Sequence, residues 1–289
     1  MYNGEDYLQI ALDSVQAQSF QDWELVLADN ASTDGTADIC RAAADADRRI
    51  RYLPSLTNKG SAWNWNRCVA EASAPRFQWL CHDDALASES AARLVEALDA
   101  AEPDVVGAYP DTVLMDAEGR VTGPYRDPLD LTGGEPHRRL ESIMTGLELI
   151  NPLFGVFRTD VLRSTRLMQG FARADTALLL ELFLRGRAVK VDEELFLRRR
   201  HDAASMLAHT SDGGLDRFYD TTRSGTVQFP TWRLMGAYAR AVWEAPLPAS
   251  ERARCTVLLG KSRYRRRLWR EVRAAASSAS PFSVPNRTS

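Results

Sequence analysis

The chain has 289 residues, of which 45% are hydrophobic and 26% are charged. This is the composition of an ordinary folded protein that is long enough to bury a full core, and it excludes extensive disorder. The formal net charge of -3 argues against a general nucleic-acid binder, which normally presents a basic face to phosphate groups.

The cysteines and the apolar runs indicate the cellular compartment in which the protein works. The four cysteines are far apart and form no Cys-x-x-Cys pair, so they indicate neither a zinc knuckle nor a disulfide framework. The longest apolar run, 177–184, is far shorter than the ~20 residues that span a bilayer. No signal peptide is recognisable at the start. We therefore expect a cytoplasmic protein.

The first part of the chain alternates between two kinds of hydrophobic pattern. Helical periodicity predicts helices over 7–18, 36–46, 61–72 and 89–100, and continuous apolar runs predict strands over 23–28, 50–53, 77–81 and 105–109. Such alternation requires crossover connections, so we expect a mixed, mostly parallel sheet flanked by helices. Ligands of such sheets bind at the carboxyl ends of the strands.

The later part is less regular. The patterns predict a hairpin around 116–119, a Gly/Pro-rich loop or lid over 123–136, helices over 138–149 and 175–185, and strands over 153–158, 188–191 and 195–199. We expect one α/β domain over 1–205, a helical appendage over 206–273 and a disordered, Ser/Pro-rich tail over 274–289.

The appendage carries a strongly basic segment. Between Arg252 and Arg273 there are nine Lys or Arg residues and one acid, Glu271. Such a segment suits peripheral contact with an anionic membrane. The alternative is an ordinary solvated face whose Leu258 and Trp269 pack on the domain.

Acidic residues follow two of the predicted strands. Asp29 ends the first strand and is either a hydrogen-bond acceptor for a nucleotide or a turn residue. Asp83 and Asp84 follow the strand over 77–81 and suit Mg²⁺ or Mn²⁺, or else cap a helix. Asp175 begins a helix as a cap or as a catalytic base. His201, directly after Arg200, is a metal or phosphate ligand or part of a solvated strand end.

Taken together, these segments resemble the family 2 glycosyltransferases with a GT-A fold. The resemblance covers about residues 2–205 and rests on several motifs in the expected order. These are Tyr2-Asn-Gly-Glu5 with the helix after it, Leu27-Ala-Asp-Asn-Ala-Ser-Thr-Asp-Gly-Thr36, Asn58-Lys-Gly60 through Asn66, Cys81-His-Asp-Asp84, and Asp175 with the helix that it begins.

The resemblance implies an inverting transfer of sugar from a nucleotide-sugar donor to a saccharide or lipid-linked acceptor, in polysaccharide or glycoconjugate synthesis. The implied donor-binding residues are Asn3, Glu5, Asp29, Asn58, Asn66, Asp83 and Arg200. The implied ligands of the metal ion, Mg²⁺ or Mn²⁺, are Asp83, Asp84 and His201. Asp175 is the implied general base.

The sequence departs from the family pattern at four points. Cys81 or His82 stands where the acidic motif usually opens with an acid, Trp65 stands where many relatives have Arg, and Ala174 replaces the acid before the base. Relatives also begin with a buried strand, whereas Met1 stands where the following turn begins. We expect about eight apolar residues, the length of a typical strand, to be encoded upstream.

Three other functions compete with this one. A non-catalytic relative that binds nucleotide or glycan fits the altered acidic motif, although the retained Asp175 argues against it. A dehydrogenase of the Rossmann type is disfavoured because no Gly-x-Gly-x-x-Gly follows a predicted strand. A nucleotidyltransferase would need a Gly-rich phosphate loop with a lysine, which the first residues do not contain.

Overall fold

The structure is a computed structural model that describes residues 1–201, 214–222, 229–261 and 268–271. The predicted tail over 274–289 and the middle of the basic segment, 262–267, lie outside these residues. The helices are α1 (Glu5–Gln16), α2 (Thr36–Ala46), α3 (Ser61–Glu71), α4 (Ser90–Asp99), α5 (Pro136–Gly146), α6 (Thr159–Arg163), α7 (Ala174–Arg185), α8 (Gly214–Tyr219), α9 (Pro230–Glu244) and α10 (Ala249–Lys261). The strands are β1 (Leu25–Asp29), β2 (Ile50–Pro54), β3 (Arg76–Gln78), β4 (Ala85–Leu86), β5 (Val105–Met115), β6 (Val121–Tyr125), β7 (Val156–Arg158) and β8 (Arg187–Arg199).

The strands form two sheets flanked by helices, and the larger sheet is mixed, as expected. β1 pairs with β2, and the larger sheet has the order β3-β7-β5-β8-β4 with β6 beside β5. The β1–β2 and β5–β8 pairs are parallel, whereas β3–β7, β4–β8, β5–β6 and β5–β7 are antiparallel. By number of strand pairs the antiparallel ones predominate, although the longest ladder, β5–β8, is parallel as expected. Hydrophobic periodicity reports the type of an element but not the direction in which the chain returns.

Several boundaries differ from the sequence predictions. The two strands expected over 188–191 and 195–199 are one strand, β8, whose register against β5 shifts near Pro110 and Asp111. Residues 153 and 154, expected to begin a strand, belong to a 3₁₀ helix over Asn151–Phe154. The predicted hairpin is confirmed, because β5 and β6 are antiparallel and Asp116 N donates to Arg120 O at 3.0 Å.

The segment predicted as a flexible loop or lid is anchored. Its first residues belong to β6, and Leu129 and Leu131 are 8% and 0% exposed. Ala188 N donates to Leu131 O at 2.8 Å. The Gly and Pro content pointed to a lid, but two buried leucines fix this segment to the core.

The core is built around α7, which is apolar on all sides as expected of a buried helix. Leu178, Leu179, Leu180 and Leu182 are fully buried. The only charged residue within its buried part, Glu181, is 1% exposed and pairs with Arg166 and Arg185. α5 and α9 pack against α7, and Leu234, Tyr238 and Leu259 belong to the same hydrophobic cluster. The proposed division at residue 205 stays a prediction, but the later helices share the core of the sheet.

The first residues lie along β1. The Met1 amine donates to Ala28 O at 2.7 Å, and Asn30 N donates to Met1 O at 2.9 Å. A cavity of about 120 Å³ lies between β1 and residues 79–82, lined chiefly by Leu8, Leu27 and Trp79. The expected upstream strand stays a prediction.

Candidate active site

The polar turn, which we define as residues 29–36, connects β1 to α2 and is held by its own side chains. Asp29 is 2% exposed. Its carboxylate accepts hydrogen bonds from Ser32 N at 2.9 Å and Ser32 Oγ at 2.6 Å, and from the Tyr52 hydroxyl at 2.9 Å. Burial and the contact with Asp29 raise the pKa of Tyr52 to about 12. Asp29 thus acts as a turn residue, and a carboxylate with about four acceptor positions keeps capacity for a ligand hydroxyl.

Asn3 and Glu5 lie against the same turn. The Asn3 side chain accepts from Thr33 N at 2.9 Å, and the Glu5 carboxylate accepts from Gly35 N at 2.6 Å. Asn3 has a left-handed backbone with φ of 49°, a conformation that Asn tolerates better than most residues. The structure therefore brings Asn3, Glu5 and Asp29 together at one turn, as the sequence predicted. Their contact with a donor stays a prediction.

Asn58 joins this group through a residue that sequence reasoning missed. The Asn30 side chain donates to Asn58 Oδ1 at 2.9 Å and to Gly60 O at 3.1 Å, and accepts from Lys59 N at 3.0 Å. Asn30 is 3% exposed. The signal in the sequence was the position of Asn30, an amide directly after the Asp that ends the first predicted strand.

Asn66 has a different place. Its amide donates to Met168 O and accepts from Met168 N, both at 2.8 Å. These bonds tie α3 to the segment before α7 across 102 positions of sequence. Asn66 thus fixes the backbone at Met168, and its predicted contact with the donor stays a prediction.

The acidic loop, residues 81–84, gathers three groups that suit a cation. Ligand atoms of Cys81, Asp83 and Asp84 all lie within 4.8 Å of one another. Asp84 is 5% exposed and accepts from Arg199 N at 2.9 Å. Burial and the neighbouring Asp83 carboxylate raise the pKa of Asp84 to about 7. Carboxylate oxygens are the ligands that Mg²⁺ and Mn²⁺ prefer, so the donor set fits such an ion.

Cys81 was not among the predicted ligands. Sequence reasoning treated it as a departure because an acid usually stands there, although its position two residues before Asp83 was the signal. Burial raises the pKa of the Cys81 thiol well above its usual range, and the nearby Asp83 and Asp84 raise it further. A bound cation would favour the thiolate.

His201 lies next to the acidic loop. Its Nε2 is 3.1 Å from Asp83 Oδ2, and its ring centroid is 4.8 Å from that of Tyr7 in α1. The predicted proximity of His201 to Asp83 is therefore observed. Within the described residues His201 stands beside the three-residue cluster and contacts it through Asp83.

The three arginines at the end of β8 have distinct positions. Arg199 is 3% exposed and donates to the carbonyls of Asp83, Asp116 and Ala117 at 2.9 to 3.1 Å. Arg198 donates to Asn151 Oδ1 at 2.5 Å and lies close enough to Asp84 to oppose the rise of its pKa. Arg200, the predicted donor ligand, is exposed. Arg199 therefore shapes the acidic loop, and Arg198 supplies a positive charge beside it.

Asp175 lies in the first turn of α7. Its Oδ1 accepts from Thr176 N at 2.6 Å, and its carboxylate raises the pKa of the nearby buried Tyr219, although burial is the larger cause. The backbone of Tyr219 packs on Gly60, where an added Cβ would lie 2.4 Å from Tyr219 O. Gly60 O in turn accepts from Asn30. A short chain of contacts thus connects Asp175 to the polar turn.

A second chain of contacts connects the polar turn to the acidic loop. The His82 ring lies on Gly4, where an added Cβ would be 2.4 Å from the ring. Gly4 N donates to Thr36 Oγ1 at 2.8 Å. The polar turn therefore stands between Asp175 and the acidic loop, and the three acidic positions belong to one region of the molecule.

A mixed sheet with a polar turn after the first parallel strand and an acidic loop between two later strands defines a protein of the GT-A class. Residues 1–131 match the family model described as glycosyl transferase family 2. This match covers the first 131 of 289 residues and agrees with the resemblance that the sequence motifs show.

Curated relatives support this assignment over parts of their length. The chain is 40% identical over 74 residues to the putative glycosyltransferase EpsE of Bacillus subtilis, which is 25% of this chain and 27% of that protein. It is 24% identical over 183 residues to a GalNAc(5)-diNAcBac-PP-undecaprenol beta-1,3-glucosyltransferase of Campylobacter jejuni, covering 63% of this chain and 57% of the relative. The chain thus spans about a quarter to a half of these relatives.

Solved structures share the fold. TarS 1–349 of S. aureus in complex with UDP-GlcNAc superimposes with a TM-score of 0.67 at 17% identity, covering 87% of this chain and 67% of that chain. The mannosyltransferase PcManGT from Pyrobaculum calidifontis, in complex with GDP-Man and Mn2+, gives a TM-score of 0.53 at 15% identity, covering 96% and 84%. These likenesses confirm the predicted GT-A architecture.

Proposed function

We propose that this protein is an inverting glycosyltransferase that moves a sugar from a nucleotide-sugar donor to a hydroxyl acceptor in polysaccharide or glycoconjugate synthesis. The observation that carries the proposal is the pair of contact chains that link Asp29 to Asp175 and to the acidic loop. The match to the family model and the UDP-GlcNAc bound by the structurally similar TarS support it.

The donor would lie across the polar turn and the acidic loop. The Asp29 carboxylate is placed to accept hydrogen bonds from the base or ribose, with Asn3, Glu5 and Asn58 holding the backbone around it. The diphosphate would reach Asp83. Arg198 offers a cation beside it, and the exposed Arg200 remains a second candidate for phosphate contact.

Asp83 and Asp84 would hold a divalent cation, Mg²⁺ or Mn²⁺, with Cys81 and His201 adjacent. When bound, the ion would stabilise the negative charge that develops on the departing diphosphate. The Mn2+ of the similar PcManGT structure supports this choice. The buried Arg199 fixes the loop by holding the Asp83 carbonyl at 2.9 Å.

Asp175 would act as the general base. It accepts the proton of the acceptor hydroxyl while that oxygen attacks the anomeric carbon. The new glycosidic bond forms as the bond from the anomeric carbon to the diphosphate oxygen breaks, and the configuration inverts in this single displacement. A sugar hydroxyl is a weak nucleophile, so base catalysis and leaving-group stabilisation must act together.

The acceptor is proposed to be a saccharide or a lipid-linked saccharide, since the name of the Campylobacter relative states an undecaprenol-linked substrate. Among the described residues, none of the helices combines the length and apolar character that a membrane crossing requires. Four free cysteines suit the reducing cytoplasm. We therefore propose a cytoplasmic enzyme whose basic segment, 252–273, gives it peripheral contact with the inner face of the membrane.

A second candidate function is a nucleotide- or glycan-binding relative with impaired catalysis. The observation that favours it is Cys81, which stands where the acidic motif usually opens with an acid. Slow hydrolysis of the donor in the presence of Mn²⁺ distinguishes the two functions, because a binding protein leaves the donor intact.

The test is a screen of UDP-, GDP- and dTDP-sugars for thermal stabilisation with Mn²⁺ and with EDTA, followed by a hydrolysis assay on any donor that binds. We expect one nucleotide series to raise the Tm only with the metal, since a ligand that binds the folded state stabilises it by mass action. Asp83→Asn should abolish this shift, and Asp130→Asn, in an exposed loop, is the matched control. Stabilisation by no nucleotide sugar in either condition would refute the proposal.

A further inference from the structure

Helix α9 carries an apolar stripe on its solvent side. Trp232, Gly236, Ala239 and Trp243 are all exposed, and they recur at intervals of four, three and four residues. This spacing places them on one face of a helix. Trp232 is 49% exposed and Trp243 is 74% exposed. Two indole rings thus stand in solvent about 16 Å apart along the helix.

Helix α9 packs on the core through its opposite face, so the exposed stripe is not part of the core. Thr231, Leu234, Ala237, Tyr238, Ala241 and Val242 are buried, and they pack toward α7 and α10. The helix has already buried one full apolar face. The tryptophans are therefore additional to what the fold requires.

A third tryptophan extends the patch. Trp232 Nε1 lies 3.4 Å from Leu268 O, which brings the neighbouring Trp269 to the same end of α9. Trp269 is 62% exposed. Exposed aromatic rings of this number are uncommon on a surface without a partner.

Basic side chains surround these rings. Arg240 lies on α9 between Trp232 and Trp243 and is exposed, as is Arg270 beside Trp269. The Arg252 guanidinium lies 5.8 Å from the Trp243 ring centroid. The patch therefore combines indole rings with positive charge.

The acids near the patch are engaged within the chain. Glu244 pairs with Arg166 at 3.8 Å, Glu251 pairs with Arg254 at 2.9 Å and with His137 at 2.8 Å, and Glu271 accepts from Thr231 N at 3.0 Å. Glu244 and Glu251 are thus paired with side chains outside the face, and of these three acids Glu271 alone offsets the three arginines Arg240, Arg252 and Arg270. An anionic partner is the one that this charge balance favours.

We propose that the tryptophan face (Trp232, Trp243, Trp269, Arg240, Arg252 and Arg270) docks on the surface of an anionic phospholipid membrane. Indole rings settle at the boundary between headgroups and acyl chains, and arginines beside them bind the headgroup phosphates. The proposal deepens the membrane contact of the proposed function by naming the face that makes it. Its test does not depend on sugar transfer.

The test is co-sedimentation of the full chain with vesicles of phosphatidylglycerol and phosphatidylcholine, and with vesicles of phosphatidylcholine alone. We expect binding to the anionic vesicles only, with binding that weakens as salt is raised. Trp243→Ser should weaken the partition by about tenfold because a large ring no longer enters the interface. Arg240→Gln with Arg270→Gln should weaken it by about fivefold per arginine.

Leu56→Ser is the matched control, because Leu56 is fully exposed on the loop after β2 and does not belong to the tryptophan face. It should leave vesicle binding unchanged. Circular dichroism melting confirms that each variant is folded, and Arg240→Gln with Arg270→Gln tests the face even if a tryptophan variant folds poorly.

Three results would overturn the proposal. They are the absence of binding to anionic vesicles, equal binding by wild type and by all face variants, and a dimer in sedimentation equilibrium that Trp243→Ser dissociates without lipid. The last result would assign the face to a second copy of the chain. Vesicle binding without sugar transfer would leave this proposal intact and count against the proposed activity alone.

Discussion

The polar turn and the acidic loop lie side by side, yet they are stabilised in opposite ways. In the turn, the Asp29 carboxylate receives three hydrogen bonds from Ser32 and Tyr52, so its charge is compensated by the chain. In the loop, Asp83 and Asp84 stand together in a buried place, and the pKa of Asp84 rises to about 7.

This difference separates what the fold supplies from what a ligand must supply. A buried carboxylate with its hydrogen bonds made contributes to folding, whereas two neighbouring carboxylates oppose it until a cation arrives. The turn is thus preformed, whereas Arg198 and Arg199 compensate the loop only in part, and the proposed cation would complete it. Substitutions in the polar turn should therefore lower the stability of the fold. Substitutions in the acidic loop should lower activity without lowering stability.

The largest effect is expected outside both regions, at Asp175. Asp175→Asn keeps the size of the side chain but removes the base, so kcat should fall by about 10²- to 10⁴-fold. The affinity for the donor should stay the same, because the role proposed for Asp175 is toward the acceptor hydroxyl. Steady-state kinetics with the donor found in the screen measure kcat. Calorimetry measures the affinity for that donor. A loss of donor affinity equal to the loss of kcat would assign Asp175 a structural role.

Asp84→Asn should come next. We expect transfer to fall by about 10²- to 10³-fold, since the stabilisation of the leaving diphosphate is lost. The Tm measured without metal should not fall, because the substitution removes a repulsive buried charge. A clear loss of Tm in EDTA would contradict the contrast drawn between the two regions.

Asp29→Ala, unlike Asp84→Asn, should lower the stability of the fold. It leaves Ser32 and Tyr52 without their buried acceptor, and we expect a loss of about 2–4 kcal/mol in the free energy of unfolding. Urea denaturation measures it. Asp22→Ala, at an exposed position before β1, is the matched control. A variant as stable as the wild type would show that the turn is not held by Asp29.

The smallest effect concerns Asp127, near Asn151 and Arg198. Burial raises its pKa to about 7, whereas an unfolded Asp titrates near 3.9. The folded state therefore loses stability relative to the unfolded state as pH rises from about 4 to 7. Asp127→Asn removes this loss, so it should stabilise the protein at pH 8 relative to pH 4 by roughly 1–3 kcal/mol. Equal changes in stability at pH 4 and pH 8 would exclude the raised pKa.

Much of the fold could be predicted because its signals are local. The periodicity of Leu8, Ala11 and Leu12 predicted α1, and the apolar run that ends at Asp29 predicted β1. Strand direction was not predictable, because β4 has two residues and β7 has three, too few for a pattern.

The residues of the candidate site also divide into those that the sequence could identify and those that it could not. Asp29 ends β1, Asp83 and Asp84 follow β3, and His201 follows β8, so each could be singled out from sequence by its place at the end of a strand. Asn30 and Tyr219 could not be assigned, since their partners are brought by distant segments: Asn30 meets Asn58, and Tyr219 meets Asp175 across the α7–α8 connection. Arg198 and Arg200 could not be distinguished either, because only the packing of β8 decides which side chain turns inward.

The central claim is that the polar turn and the acidic loop together bind a nucleoside diphosphate through a divalent cation. Isothermal titration of the intact chain with UDP and GDP, with Mn²⁺ and then with EDTA, tests it most directly. We predict that one of the two nucleotides binds only with Mn²⁺ and that Asp84→Asn abolishes binding while the chain stays folded. Nucleotide binding of equal strength in EDTA, or in folded Asp84→Asn, would contradict the claim.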